Sequence, residues 1–239
     1  MAGAPLDTED LSGDLEIAIQ AVAAQEQPDR TFRLVINTSR GELPAVLHPC
    51  EGEPGAAIFV GGALGGLEGP AGGLYPRTAH ALASAADDPG LTGLRLHYRQ
   101  PGEFQECVLD VLAGLSFLKG IGAQRVALVG HSFGAAVAIK AGELSDRVTA
   151  VAALSSQLYG TRSVERLAPK SLLLVHGTAD GVLDCAASQD IYDRALEPKR
   201  LVLYDGADHT LMQCRDELDE LLRAWLAEVV NGSPADGTD

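Results

Sequence analysis

Short runs of mostly apolar residues recur along the chain, separated by longer stretches in which apolar residues fall at i, i+3, i+4 and i+7. The short runs predict eight strands, at roughly Thr31–Asn37, Leu43–His48, Ala56–Gly61, Gly93–Tyr98, Arg125–Gly130, Val148–Leu154, Ser171–His176 and Arg200–Tyr204. The longer stretches predict helices over Tyr75–Ala86, Phe104–Lys119, Phe133–Glu143, Cys185–Leu196 and Arg215–Val230. Strands that alternate with helices specify an α/β domain, a largely parallel sheet covered on both faces. The first two strands are joined by "TSRGE", where Gly41 suits a hairpin, so they are expected to pair antiparallel at one edge. An additional helix is predicted over Leu11–Ala24, ended by Pro28. The glycine-rich "GGALGGLEGPAGG" reads as a loop after the third strand.

The length of 239 residues fits a single domain over 31–230, preceded by a helical or flexible segment over 1–30 and followed by a flexible tail over 231–239. A formal charge of −15, with no concentration of Lys and Arg, argues against nucleic acid and anionic membrane surfaces as partners. With no signal-peptide pattern and no long apolar run, the expected location is the cytoplasm. Cys50, Cys107, Cys185 and Cys214 form no C-x-x-C pair and read as structural thiols. The glycine-rich loop contains neither G-x-G-x-x-G nor G-x-x-x-x-G-K-[ST], and the spacing of Asp180, Asp184 and His209 demands no metal, so no cofactor is expected.

The chemistry-bearing segment is "GHSFG", Gly130 to Gly134, a G-x-S-x-G sequence between a strand and a helix. In that setting a tight turn exposes the serine hydroxyl, and the helix that follows aims its amide groups at charge forming beside it. Ser132 is therefore a candidate nucleophile rather than a simple helix cap. A serine nucleophile needs a base, and the base needs a group that fixes its tautomer. Ligands of an open parallel sheet bind beyond the carboxyl ends of its strands. His209, after the eighth strand in "DGADHT", lies there, and so does Asp180, after the seventh in "HGTADG". His48, His80, His97 and His176 lie within or at the ends of other elements and read as structural. His131 is expected to pack beneath the turn. Asp184 stands where an aspartate caps the next helix.

These segments, "GHSFG", "HGTAD" and "GADH", resemble the α/β-hydrolase superfamily, and the resemblance spans about Thr31 to Val230. Within it the chain looks like small bacterial members without a large cap, similar to dienelactone hydrolases or serine aminopeptidases. The resemblance implies an eight-stranded sheet, with Ser132 as nucleophile, His209 as general base and Asp180 as the residue orienting it. It departs from the family in having Gly61-Gly62 where His-Gly is common, and in carrying serine where dienelactone hydrolases carry cysteine. The oxyanion hole would be formed by the amide of Phe133 and an amide near Ala63.

Only "SSQLYGTRSVERLAPK" lies between the sixth and seventh strands, too short for a separate lid. Leu64, Tyr75, Leu158 and Tyr159 are then the expected walls of an open site for a small-molecule ester-type substrate. Arg99 and Glu103 either face this cleft or pair to hold their loop. Ester, thioester, lactone and amide hydrolysis all pass through a similar oxyanion and remain open, as does a non-catalytic binding protein built on the same fold.

Overall fold

A computed structural model describes residues 16–84 and 90–231. Nine strands form one sheet: β1 (Ile19–Glu26), β2 (Phe32–Thr38), β3 (Gly41–His48), β4 (Gly55–Val60), β5 (Thr92–Leu96), β6 (Arg125–His131), β7 (Val148–Leu154), β8 (Ser171–Gly177) and β9 (Lys199–Tyr204). Their spatial order is β1-β2-β3-β5-β4-β6-β7-β8-β9. From β5 across to β9 all neighbours are parallel, whereas β1, β2, β3 and β5 pair antiparallel. The helices are α1 (Pro70–Ala83), α2 (Phe104–Gly120), α3 (Phe133–Leu144), α4 (Ala186–Arg194) and α5 (Arg215–Asn231).

Strand periodicity divides the interior into two cores. In β4, Ala56, Ile58 and Val60 point to the face covered by α2, α3 and α4, while Ala57 and Phe59 point to the face covered by α1 and α5. Because both faces are covered, every residue of β4 is buried, and its sequence GAAIFV shows no polar alternation. α3 is buried from Phe133 through Gly142, which its small residues permit. The strand order reverses beside β4: β5 lies on one side and β6 on the other, so the loops leaving β4 and β6 open a crevice at their carboxyl ends.

Three expectations need correction. The predicted N-terminal helix is instead, from Ile19, the strand β1, and residues 11–15 lie outside the described residues. Its Ala- and Gln-rich sequence favours a helix locally, but a ladder running from Ile19–Thr38 to Glu26–Phe32 satisfies its backbone instead. The hairpin of β2 and β3 forms with Gly41 at φ 118°, yet it is not the edge, because β1 covers it, and the sheet has nine strands rather than eight. The helix expected from Tyr75 begins at Pro70, although Ala71, Gly72 and Gly73 have left-handed φ values and regular geometry starts at Leu74. Its last two expected residues, and the tail beyond 231, lie outside the described residues.

The elements around the crevice approach too closely for side chains. A Cβ at Gly134 would run into the Gly61 carbonyl oxygen at the end of β4, and one at Gly130 into the Gly134 carbonyl. Gly134→Ala is therefore expected to cost about 2 kcal/mol or more, lowering Tm by about 4–8 °C. Gly120→Ala, where a Cβ meets nothing within 4 Å, is expected to leave Tm unchanged or slightly raised. An unchanged Tm for Gly134→Ala would contradict this packing.

Candidate active site

β6 ends in a turn whose strain is local and visible. Ser132 has φ 59° and ψ −119°, a region that side chains avoid at a cost of about 1–3 kcal/mol. Its N–H donates to Leu154 O at 2.8 Å, which ties the turn to the end of β7. Phe133 begins α3 immediately afterwards, so its amide belongs to the first turn, where N–H groups lack intrahelical partners. Its ring is clamped edge-on by Tyr98 at 6.2 Å and Phe104 at 5.9 Å.

The loop after β4 reaches the same place. A Cβ on Gly62 would lie 3.7 Å from Ser132 Cβ, so the backbone next to Ala63 passes directly over the serine. The loop closes on itself through Gly65 N–H to Gly62 O at 2.9 Å, and Gly66 N–H donates to His97 Nδ1, also at 2.9 Å. Two tyrosine hydroxyls hold its root, Tyr75 on Val60 O at 2.8 Å and Tyr98 on Gly61 O at 3.3 Å.

Asp180 and His209 meet although 29 residues separate them: His209 Nδ1 lies 2.7 Å from Asp180 Oδ2. Facing a carboxylate, Nδ1 carries a proton, so that in the neutral ring the lone pair is on Nε2. Burial works to raise the Asp180 carboxyl, but N–H donation from Leu183, His209 and Val182 outweighs it and holds the group below its ordinary value. It is therefore ionised at neutral pH. The loop carrying His209 is built by Asp208, whose side chain accepts from Thr210 N–H at 2.8 Å and from Gln213 Nε2 at 3.0 Å. The carbonyl of His209 accepts from His131 Nε2 at 2.9 Å and from the Ser155 hydroxyl at 3.3 Å. The His131 and His209 rings lie 4.8 Å apart. Burial pushes His131 down to about 4, so it is neutral at physiological pH and serves as a donor to that carbonyl. It fixes the position of His209 rather than sharing its proton.

The other expected residues divide. Leu64 is 91% exposed, and Leu158 and Tyr159 are each 47% exposed; all three lie on loops at the carboxyl ends of strands. Tyr159 stacks edge-on against Phe104 at 5.3 Å and so connects through that ring to Phe133. Tyr75 is 0% exposed and packs its ring against Phe59, so it is no wall of the cleft; it is a prop beneath the loop after β4. Arg99 does not reach the cleft and does not pair with Glu103. It ion-pairs with Asp110 and, at 2.8 Å, with Glu106, and donates to Arg40 O at 2.9 Å. Asp184 accepts the Ala186 N–H at 2.8 Å and caps α4. No cluster of histidine, cysteine or acidic residues suited to a metal ion occurs among the described residues. Nor is any helix among them long and apolar enough to cross a membrane.

From the sequence His176 reads as structural, but it touches the same carboxylate oxygen as His209, at 3.1 Å. Its position four residues before Asp180 in "HGTAD" was the available signal.

No protein-family model matches the chain. A stretch of 56 residues is 38% identical to the uncharacterized protein YfhR of Escherichia coli, a match that covers 23% of this chain and only 20% of that protein's length. Three solved structures are similar over most of the chain. Est1E from Butyrivibrio proteoclasticus superposes with a TM-score of 0.68 at 18% identity, over 83% of this chain and 99% of that one. XC6422 from Xanthomonas campestris, a member of the α/β serine hydrolases without lid, gives 0.69 at 18% identity over 88% and 100%. Dienelactone hydrolase from Anabaena variabilis gives 0.72 at 18% identity over 87% and 99%. With the strand order and the strained turn after β6, these likenesses establish that the chain has the α/β-hydrolase fold, and among the described residues no separate lid domain interrupts the connection from β7 to β8.

Proposed function

We propose that this protein is a serine hydrolase that cleaves a small carboxylic ester, with thioesters and lactones as chemical relatives, through Ser132, His209 and Asp180. The observation that carries this reading is the 2.7 Å bond from His209 Nδ1 to the ionised Asp180, formed at the sheet end where Ser132 is held in a strained turn. The names of the similar structures agree with it.

In this reading His209 Nε2 takes the Ser132 proton as Oγ attacks the ester carbonyl, and Asp180 steadies the imidazolium. The amide of Phe133 and an amide near Ala63 receive the oxyanion, aided by the N-terminal end of α3. His209 then returns the proton to the leaving alcohol, and the acyl group stays on Ser132. Water, deprotonated by His209, releases the acid and restores the hydroxyl. Leu64, Leu158 and Tyr159 are the proposed contacts for the apolar part of the substrate. The side chains of all three remain partly in water, so each added methylene regains only part of the roughly 0.8 kcal/mol of full burial.

Three outcomes follow for ester hydrolysis. Ser132→Ala is expected to lose nearly all turnover of 4-nitrophenyl esters with its Tm within about 2 °C of wild type, because the hydroxyl takes little part in packing. Retained turnover would remove Ser132 from the mechanism. Asp180→Asn is expected to lower kcat by as much as about ten-thousand-fold, since the amide presents the wrong polarity to the imidazole. Asp184→Asn, which still caps α4, is expected to keep wild-type kcat. The reverse ranking would exchange their roles. Across an acyl series, kcat/KM is expected to favour short chains, and a clear preference for chains beyond about ten carbons, at up to roughly 0.8 kcal/mol per methylene, would reveal a deep acyl pocket instead.

A further inference from the structure

Asp180 is held by four donors, and one of them is a side chain with no part in the steps above. Oδ1 accepts the Val182 and Leu183 N–H groups, each at 2.8 Å, while Oδ2 accepts His209 Nδ1 at 2.7 Å and His176 Nε2 at 3.1 Å. A carboxylate offers about four lone-pair sites, so the set is complete. His176, near the end of β8, is 0% exposed. Its Nε2 also faces Leu183 O at 3.1 Å, and a nitrogen between two acceptors carries the ring proton. Its Nδ1 lies 2.7 Å from Ser188 Oγ in the first turn of α4, and Ser188 is likewise wholly buried. In the neutral ring the serine hydroxyl donates to Nδ1, which polarises the imidazole and strengthens Nε2–H as a donor. Ser188 and His176 therefore donate in line toward the carboxylate from one side, and His209 donates to the same oxygen from the other. Packing between β8 and α4 asks for no such pair, since two apolar groups of the same shape fill such a space at no loss.

We propose that His176 is a positioning residue of the catalytic site: by sharing Oδ2 with His209 it fixes the direction of the Asp180 lone pairs and moderates how strongly that oxygen draws the His209 proton. The inference rests on the reading of Ser132, His209 and Asp180 as a triad. The titratable groups around the carboxylate are His176 on β8, His209 after β9 and His131 at the end of β6; Asp184, at the start of α4, is turned to the Ala186 amide. Without the His176 donor, Oδ2 keeps more negative charge and favours protonated His209, so the base is lost at a higher pH.

The test is the pH profile of His176→Leu, His176→Gln and Ser188→Ala on a neutral 4-nitrophenyl ester, beside NMR titration of the His209 ring protons. For His176→Leu the acid limb of kcat/KM and the His209 midpoint are both expected to rise by about 0.5–1 pH unit, and kcat to fall about ten-fold with KM little changed. The amide N–H of His176→Gln is expected to restore the wild-type limb. Ser188→Ala, which leaves the imidazole in place, is expected to shift it in the same direction by less, and it carries the test if His176→Leu does not fold. A merely structural role would lower Tm and leave limb and midpoint unmoved, and that result in His176→Leu or Ser188→Ala would overturn the proposal. Because the NMR midpoint needs no turnover, absence of esterase activity in the wild type would count against the hydrolase reading alone.

Discussion

The structure depends on the contact between the start of α3 and the end of β4, where Gly134 lies directly on the Gly61 carbonyl. No side chain fits between them. That contact lets β6 and α3 meet in a turn tight enough to hold Ser132 at positive φ, and it brings the loop after β4 over the serine. The strain of a positive-φ serine, about 1–3 kcal/mol, persists only where the surroundings over-determine it. Here they do, through the Ser132 N–H bond to β7, the aromatic clamp on Phe133 and the two tyrosine hydroxyls at the root of the loop.

The electrostatics depend on the same frame. The Asp180 side chain is buried yet ionised because backbone amides and imidazoles converge on it; the donors come from the end of β8, the loop that follows it and the loop after β9, and the sheet places β8 and β9 side by side. One charge is thus kept in an interior where an unpaired carboxylate would instead take up a proton. The neutral His131 is the counterpart: burial removes its charge, which frees it to hold the His209 carbonyl without repelling a neighbouring imidazolium.

How much of this was legible in the sequence follows from how local each feature is. The elbow was legible because a strand, a G-x-S-x-G turn and a helix are contiguous, and chain order with strand ends located Asp180 and His209. β1 was not, because its stability lies in pairing with β2, while its own residues favour a helix. Tyr75 looked like a wall because an aromatic residue beyond a glycine-rich loop carries no sign of which way it turns; only packing on Phe59 shows that it faces inward. Arg99 finds its partners 7 and 11 residues on, along α2, rather than in its own loop. His176 was hidden by its setting, since a histidine at the end of an apolar strand reads as core until the carboxylate it touches is in view.

The central claim is that Ser132 is activated by a neutral His209 oriented by Asp180, and covalent trapping tests it without knowledge of the substrate. The protein would be treated with a fluorophosphonate, and the adduct mapped by peptide mass spectrometry in wild type and in Asp180→Asn. The account predicts a single adduct on Ser132, strongly slowed in Asp180→Asn. An unlabelled wild-type protein, or an adduct on another residue, would contradict it.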